Sequence, residues 1–87
     1  MKIETTLKER GKRYGSFAEQ ARIAQRLKDV MRCTEAYDSG KLSWDHWEAL
    51  DHIATKISRI LNGDPNFHDH WHDIEGYARL VADRLEK

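Results

Sequence analysis

Two stretches of the sequence carry acidic side chains at spacings that suit a divalent metal ion. Glu48 and Asp51 are three residues apart, and Asp69 and Asp73 are four residues apart. If both stretches are helical, the members of each pair lie on one helix face, because side chains three or four residues apart are neighbours. Carboxylates on two adjacent helices suit Mg²⁺ or Mn²⁺, and the metal would bridge phosphate oxygens and activate a water. The four acids are therefore the predicted metal ligands.

The same acids also have a simpler interpretation as part of a solvated helix surface. Asp69 would lie in the first turns after Pro65, where the positive end of the helix dipole favours acids. Glu48 is four residues before His52 and can pair with it. Spacing alone favours this alternative, since charge on helix surfaces is the ordinary case.

Histidines offer a third kind of site. His68 and His72 are four residues apart and could share a metal ion, but such a site needs a third ligand, for which His46 or His52 is a candidate. No known zinc-binding spacing is matched, so the sequence argues against a zinc site. His70 lies beside a predicted apolar stripe, which predicts a hydrogen-bonded, half-buried histidine.

A cationic segment precedes a predicted helix start. The stretch KERGKRYGSF holds Lys12, Arg13 and Tyr14 just before a glycine break. The free backbone N–H groups of a helix N-terminus favour an anion, and these side chains would add charge and a surface on which a base can stack. The alternative is a solvated helix end with Tyr14 packed on the bundle.

Helices must position all of these residues, because no stretch alternates at period two for long enough to predict a strand. Ser16 with Glu19 has the spacing of a capping box, and Ser43 is expected to cap another helix. Pro65 suits a helix start. We predict helices over residues 4–14, 17–33, 44–61 and 66–85, with a loop over residues 34–43.

Each long helix carries one apolar stripe, which predicts a small all-α antiparallel bundle of three main helices and a short N-terminal one. Three or four short helices cover their stripes poorly, so we expect dimerisation to complete the core. The predicted core positions are Phe17, Ala24, Leu27 and Met31; Leu50, Ile53, Ala54, Ile57, Ile60 and Leu61; and Phe67, Trp71, Ile74, Tyr77, Ala78, Val81 and Leu85.

Bulk properties narrow the functional classes. The 87 residues predict one domain, and 15 basic against 15 acidic residues argue against a general nucleic-acid binder. The single Cys33 excludes an internal disulfide. The first residues contain no apolar run typical of a signal peptide, and no segment is long enough to span a bilayer. We expect a cytoplasmic protein.

Three stretches resemble a small family of phage and prophage proteins of unknown function: RYGSFAEQARIAQRLKDVM, EALDHIATKISRILNGDPN and HWHDIEGYARLVADRL. This resemblance covers nearly the whole chain. The Tyr-Gly start, the KISRI helix and the DIEGYA helix also resemble the MazG-like all-α nucleoside triphosphate pyrophosphatases and phage nucleotide-modification-associated proteins, mainly over the last two helices.

The MazG-like resemblance implies a Mg²⁺ site and a nucleotide pocket. It makes Glu48 and Asp51 the ligands and catalytic acids of one helix, and Asp69 and Asp73 the ligands of the next. It places Lys56 and Arg59 against phosphate. Arg13 and Tyr14 would close the pocket. Lys12 and Tyr77 are further candidate substrate-binding residues.

The resulting prediction is a nucleotide-binding protein that hydrolyses a phosphoanhydride with Mg²⁺. The first of the two helices has fewer glutamates than the MazG-like pattern, and the acids of the second are four rather than three apart. The alternative is therefore a non-catalytic phage protein that sequesters a nucleotide signal or binds a host protein through its tryptophan-bearing surface.

Overall fold

The computed structural model describes residues 2–86, and this part of the chain contains helices and no strand. The all-α prediction is confirmed. The five helices are α1 (Ile3–Tyr14), α2 (Phe17–Arg32), α3 (Glu35–Ser39), α4 (Trp44–Asn62) and α5 (His68–Leu85).

The short helix α3 lies where the sequence predicted only a loop. Thr34 begins it: its side-chain oxygen accepts a hydrogen bond from the backbone N–H of Tyr37 at 3.2 Å. Gly40 ends it in the left-handed conformation, with φ of 69°. A single turn of helix carries too few residues for a periodic apolar pattern, so periodicity could not reveal it.

Local capping differs from the prediction at one position. The Ser16 side chain accepts a hydrogen bond from the Glu19 backbone N–H at 3.2 Å, as expected. The Glu19 carboxylate, however, accepts hydrogen bonds from Arg22, so the predicted capping box is only half formed. The Arg22 guanidinium is the stronger, charged partner for this carboxylate, and its hydrogen bond holds the pKa of Glu19 below its ordinary value.

Helix α4 is the centre of the fold, and α2 and α5 pack on it from two sides. Three pairs set the antiparallel register of α4 and α5: Asp45 with Arg84, His52 with Tyr77, and Lys56 with Asp73. Each step forward along α4 is matched by a step back along α5. Within residues 2–86, α2 and α5 do not pack on each other, so the three helices form an open layer.

The open layer corrects the predicted core. The buried apolar residues among residues 2–86 are the alanines Ala24, Ala49 and Ala54. Large side chains of the predicted stripes stay exposed, including Phe17 at 78 %, Leu61 at 68 % and Leu85 at 60 %. The stripes are real, but the large residues of the α4 stripe, Leu50, Ile53, Ile57 and Ile60, are only half-buried. None of the described helices combines the length and apolar character that crossing a bilayer requires.

Candidate anion-binding site

The end of α1 is fastened to the connection between α4 and α5. The side-chain amide of Asn62 donates hydrogen bonds to the backbone carbonyls of Tyr14 and Ser16, both at 2.9 Å. The backbone N–H of Asp64 donates to the carbonyl of Arg13 at 2.8 Å. These bonds hold the Arg13–Tyr14 segment against a part of the chain that is distant in sequence.

Two glycines permit this close approach. A Cβ at Gly63 would overlap the carbonyl oxygen of Arg13 and the Cα of Tyr14. Gly15 has φ of 80°, and a Cβ there would overlap Asn62. Both positions therefore require glycine, one for space and the other for space and conformation.

Arginines surround the ring of Tyr14. The Cζ of Arg59 lies 4.4 Å from the ring centroid, and the Cζ of Arg10 lies 4.7 Å from it. Arg13 lies over the neighbouring ring of Phe67, with its Cζ at 4.9 Å from the centroid. Cation–π attraction orients all three guanidinium groups. We call Arg10, Arg13, Arg59, Tyr14 and Phe67 the arginine cluster.

His70 packs against both aromatic rings of the cluster. It is 2 % exposed, and its ring centroid lies 5.3 Å from that of Tyr14 and 5.0 Å from that of Phe67. Its Nε2 lies 3.1 Å from the carbonyl oxygen of Arg13, so Nε2 carries the hydrogen and donates it. The predicted hydrogen bonding of His70 is confirmed, and its burial is deeper than the predicted half.

The arginines of the cluster form no ion pair within residues 2–86, although Arg59 lies near enough to Asp73 to help Lys56 lower the pKa of that carboxyl. Within residues 2–86, no carboxylate oxygen lies within 4.0 Å of a nitrogen of Arg10, Arg13 or Arg59. The Nε of Arg59 is buried and has no hydrogen-bond partner among the described residues. A buried N–H of this kind is costly to leave unpaired. The other N–H groups of the three guanidinium groups are the donors that a phosphate oxygen would accept from.

A cavity of about 310 Å³ lies between α1 and α2 beside Arg10 and Tyr14. Phe17, which is 78 % exposed, lines the same cavity. The predicted stacking surface was Tyr14, but two guanidinium groups already lie over the Tyr14 ring. The exposed ring of Phe17 is the surface that remains for a planar group to stack on.

The acids predicted to bind metal have other neighbours. Asp73 accepts from the Nζ of Lys56 at 2.8 Å, and this hydrogen bond holds the pKa of Asp73 below its ordinary value. Glu48 pairs with His52 at 3.0 Å, as the solvated-surface alternative expected. Lys56 is therefore engaged by a carboxylate of its own chain, which leaves it poorly placed to face phosphate.

The remaining two acids lie elsewhere. The Oδ1 of Asp69 is 3.5 Å from the Nδ1 of its neighbour His68. Asp51 and Glu48 line a different cavity, of about 370 Å³, with Tyr37, Trp44 and Trp47 among its other walls.

Within residues 2–86, the four predicted acids therefore do not meet as one group, and the Mg²⁺ site stays a prediction. In the described part of the chain, no three His, Cys, Asp or Glu side chains are grouped so that they could hold a metal ion. The rings of His68 and His72 stack at 5.5 Å, but no third ligand joins them.

Of the predicted substrate-binding residues, the structure brings together Arg13, Tyr14 and Arg59. Lys12 is exposed on the last turn of α1. Tyr77 lies apart from the cluster, with its ring stacked on that of His52 at 4.4 Å.

Sequence reasoning missed Arg10 and Phe67 as members of the site. Arg10 is four residues before Tyr14 on α1, a spacing that places both on one helix face. Phe67 was assigned to the core stripe, and no local signal distinguishes a core ring from one that carries a guanidinium.

The resemblances drawn from the sequence stay predictions, since no protein-family model, curated protein or solved structure matches the chain.

Proposed function

We propose that the chain binds a phosphate-bearing small molecule of the nucleotide type at the arginine cluster. The observation that carries this proposal is the set of three guanidinium groups that lack a carboxylate within 4.0 Å among residues 2–86. Guanidinium groups bind phosphate oxygens in a bidentate manner, and their fixed orientation on Tyr14 and Phe67 lowers the entropy cost of binding.

A nucleotide matches the two halves of the site. Arg10, Arg13 and Arg59 supply charge for the phosphates. The exposed ring of Phe17, beside Arg10 in the same cavity, supplies a surface for the base. We propose binding without hydrolysis, because Asp73 pairs with Lys56 and Glu48 pairs with His52, so that two of the four predicted acids are held by other side chains.

Calorimetry with ATP, tripolyphosphate and adenosine tests the proposal, each measured with and without Mg²⁺. We expect ATP and tripolyphosphate to bind and adenosine to bind far more weakly. The affinities should fall as salt rises, because added ions screen charges on a surface site. We expect ATP to bind more tightly than tripolyphosphate, because its base stacks on the Phe17 ring. Phe17→Ala should remove this difference in affinity. No measurable binding of either anion at low salt would overturn the proposal.

Product analysis on the same mixtures separates binding from catalysis. We expect no release of pyrophosphate or phosphate from ATP over many hours with Mg²⁺ present. Turnover that is lost in Glu48→Gln and Asp51→Asn would instead support the pyrophosphohydrolase predicted from the family resemblance.

The alternative predicted from the sequence, binding of a host protein, stays a prediction. The observation that bears on it is Trp44, which is 91 % exposed beside a cavity that Tyr37 and Trp47 also line. Phage origin and a cytoplasmic location likewise stay predictions.

A further inference from the structure

The chain exposes more surface than its mass requires. Its accessible surface is 6535 Å². A compact monomer of 10.2 kDa exposes about 5,300 Å², so the excess is roughly 1,200 Å². A stable interface buries about 800 Å² on each partner, so the excess is large enough to form one.

One exposed apolar part of the surface is a groove between α4 and α5. Apolar residues form most of its wall, with His46 at one edge: Ala49, Leu50, Ile53, Ala78, Val81, Ala82 and Leu85. The groove has a volume of about 360 Å³. On α4, Leu50 and Ile53 lie on a different face from Asp45, His52 and Lys56, which meet α5, since successive residues of a helix are rotated by about 100°. None of the helices within residues 2–86 covers this face.

The charged side chains of the α4–α5 contact lie off the groove. The pairs Asp45–Arg84 and Lys56–Asp73 neutralise each other along the contact between the two helices. Among residues 2–86, no carboxylate, lysine or arginine lines the groove itself, and its one titratable side chain is His46. Two identical grooves can therefore meet without bringing like charges together.

We propose that this face binds a second copy of the same chain, so that two α4–α5 pairs form a four-helix core about a twofold axis. The two helices are nearly equal in length, at 19 and 18 residues, so a second pair covers the groove along its length. A twofold contact joins the same patch on both chains, which suits a face that is mostly apolar and lacks carboxylate, lysine and arginine side chains. A second copy also supplies the apolar partner that Leu50, Ile53 and Leu85 lack.

Sedimentation of the full chain tests this proposal. We expect a mass twice the 10.2 kDa of one chain at micromolar concentration. Ala78→Glu should weaken the dimer by about a hundredfold or more, because the twofold axis buries two added charges. Leu80→Glu is the control: Leu80 is exposed on the same helix but lines a different cavity, with Asp45, Glu48 and Tyr77.

Circular dichroism of each variant separates loss of the dimer from loss of the fold. Ala78 is exposed when the chain is alone, so a glutamate there is solvated in the monomer. The helix content of Ala78→Glu should therefore stay close to that of wild type. If Ala78→Glu loses its helices, Leu85→Glu at the end of α5 gives the same test at an exposed position. A wild-type chain that sediments as a monomer, or a Leu80→Glu variant that dissociates as readily as Ala78→Glu, would overturn the proposal.

Discussion

The guanidinium of Arg59, near the end of α4, lies over the ring of Tyr14, the last residue of α1, with 4.4 Å between Cζ and the ring centroid. This contact joins the C-terminal ends of α1 and α4, which also meet through the hydrogen bond from Asn62 to the Tyr14 carbonyl. It places a charge from the central helix beside Arg10, which approaches the same ring at 4.7 Å. The candidate site therefore depends on tertiary structure rather than on any one segment.

Arg59→Gln should weaken ATP binding by about ten- to a hundredfold. The change removes one charge and its hydrogen bonds to phosphate, which are worth about 1.5–3 kcal/mol, and each 1.4 kcal/mol is about tenfold in affinity. Calorimetry at low salt measures the effect. Arg79→Gln is the matched control, because Arg79 is exposed on α5 and makes the same change in net charge. Equal losses in the two variants would mean that only net charge matters.

Gly63→Ala should destabilise the fold by about 3 kcal/mol, because its Cβ would overlap the backbone of Arg13 and Tyr14. Gly76→Ala is the control in α5. A Cβ there meets nothing within 4 Å, so this variant should gain about 0.5–1 kcal/mol from alanine's better helix propensity. Urea unfolding of both variants measures the free energies. Similar stability of the two would contradict the close approach described at Gly63.

Asn62→Ala should cost about 2 kcal/mol of stability, since it removes both hydrogen bonds to the carbonyls of Tyr14 and Ser16. It should also weaken ATP binding, because Tyr14 is no longer held in place. Asn66→Ala serves for comparison: Asn66 is exposed and only its backbone N–H bonds to Asp64, so we expect a change within about 0.5 kcal/mol. An Asn62→Ala variant as stable as wild type would show that other contacts hold the end of α1 against the α4–α5 connection.

Acid should destabilise the fold in a defined pH window. The Arg84 guanidinium, helped by the hydroxyl of Ser43, lowers the pKa of Asp45 to about 2 from an ordinary value of 3.8. The folded state thus binds fewer protons than the unfolded state, so this contribution to stability is present above about pH 4 and is lost as pH falls toward 2. Thermal melts across this window measure it.

Replacing the partner tests the cause of the low pKa. In Arg84→Gln, the pKa of Asp45 should rise toward its ordinary value, and the melting temperature should depend less on pH between 4 and 2. An NMR titration of the Asp45 carboxyl carbon reads the pKa directly. A titration unchanged from wild type would assign the shift to something other than Arg84.

Local signals predicted most of the elements. Ser16, Ser43 and the glycine break at Gly15 mark helix ends, and the four predicted helices agree with the observed ones within about two residues. Capping and helix periodicity depend on neighbours a few residues away, so the sequence contains them directly. The all-α fold follows from this short-range information, whereas the single turn of α3 was too short for it.

Which side chains meet was decided by tertiary structure. The sequence showed Asp73 and Lys56 as separate candidates for metal and phosphate, but the antiparallel register of α4 and α5 pairs them with each other. It showed Arg13 and Tyr14 as one candidate and Arg59 as another. The hydrogen bond from Asn62 to the Tyr14 carbonyl holds the end of α1 where Arg59 lies over the Tyr14 ring. Spacing along a helix determines which face a residue lies on, but only the packing of that face against a distant helix determines its partner.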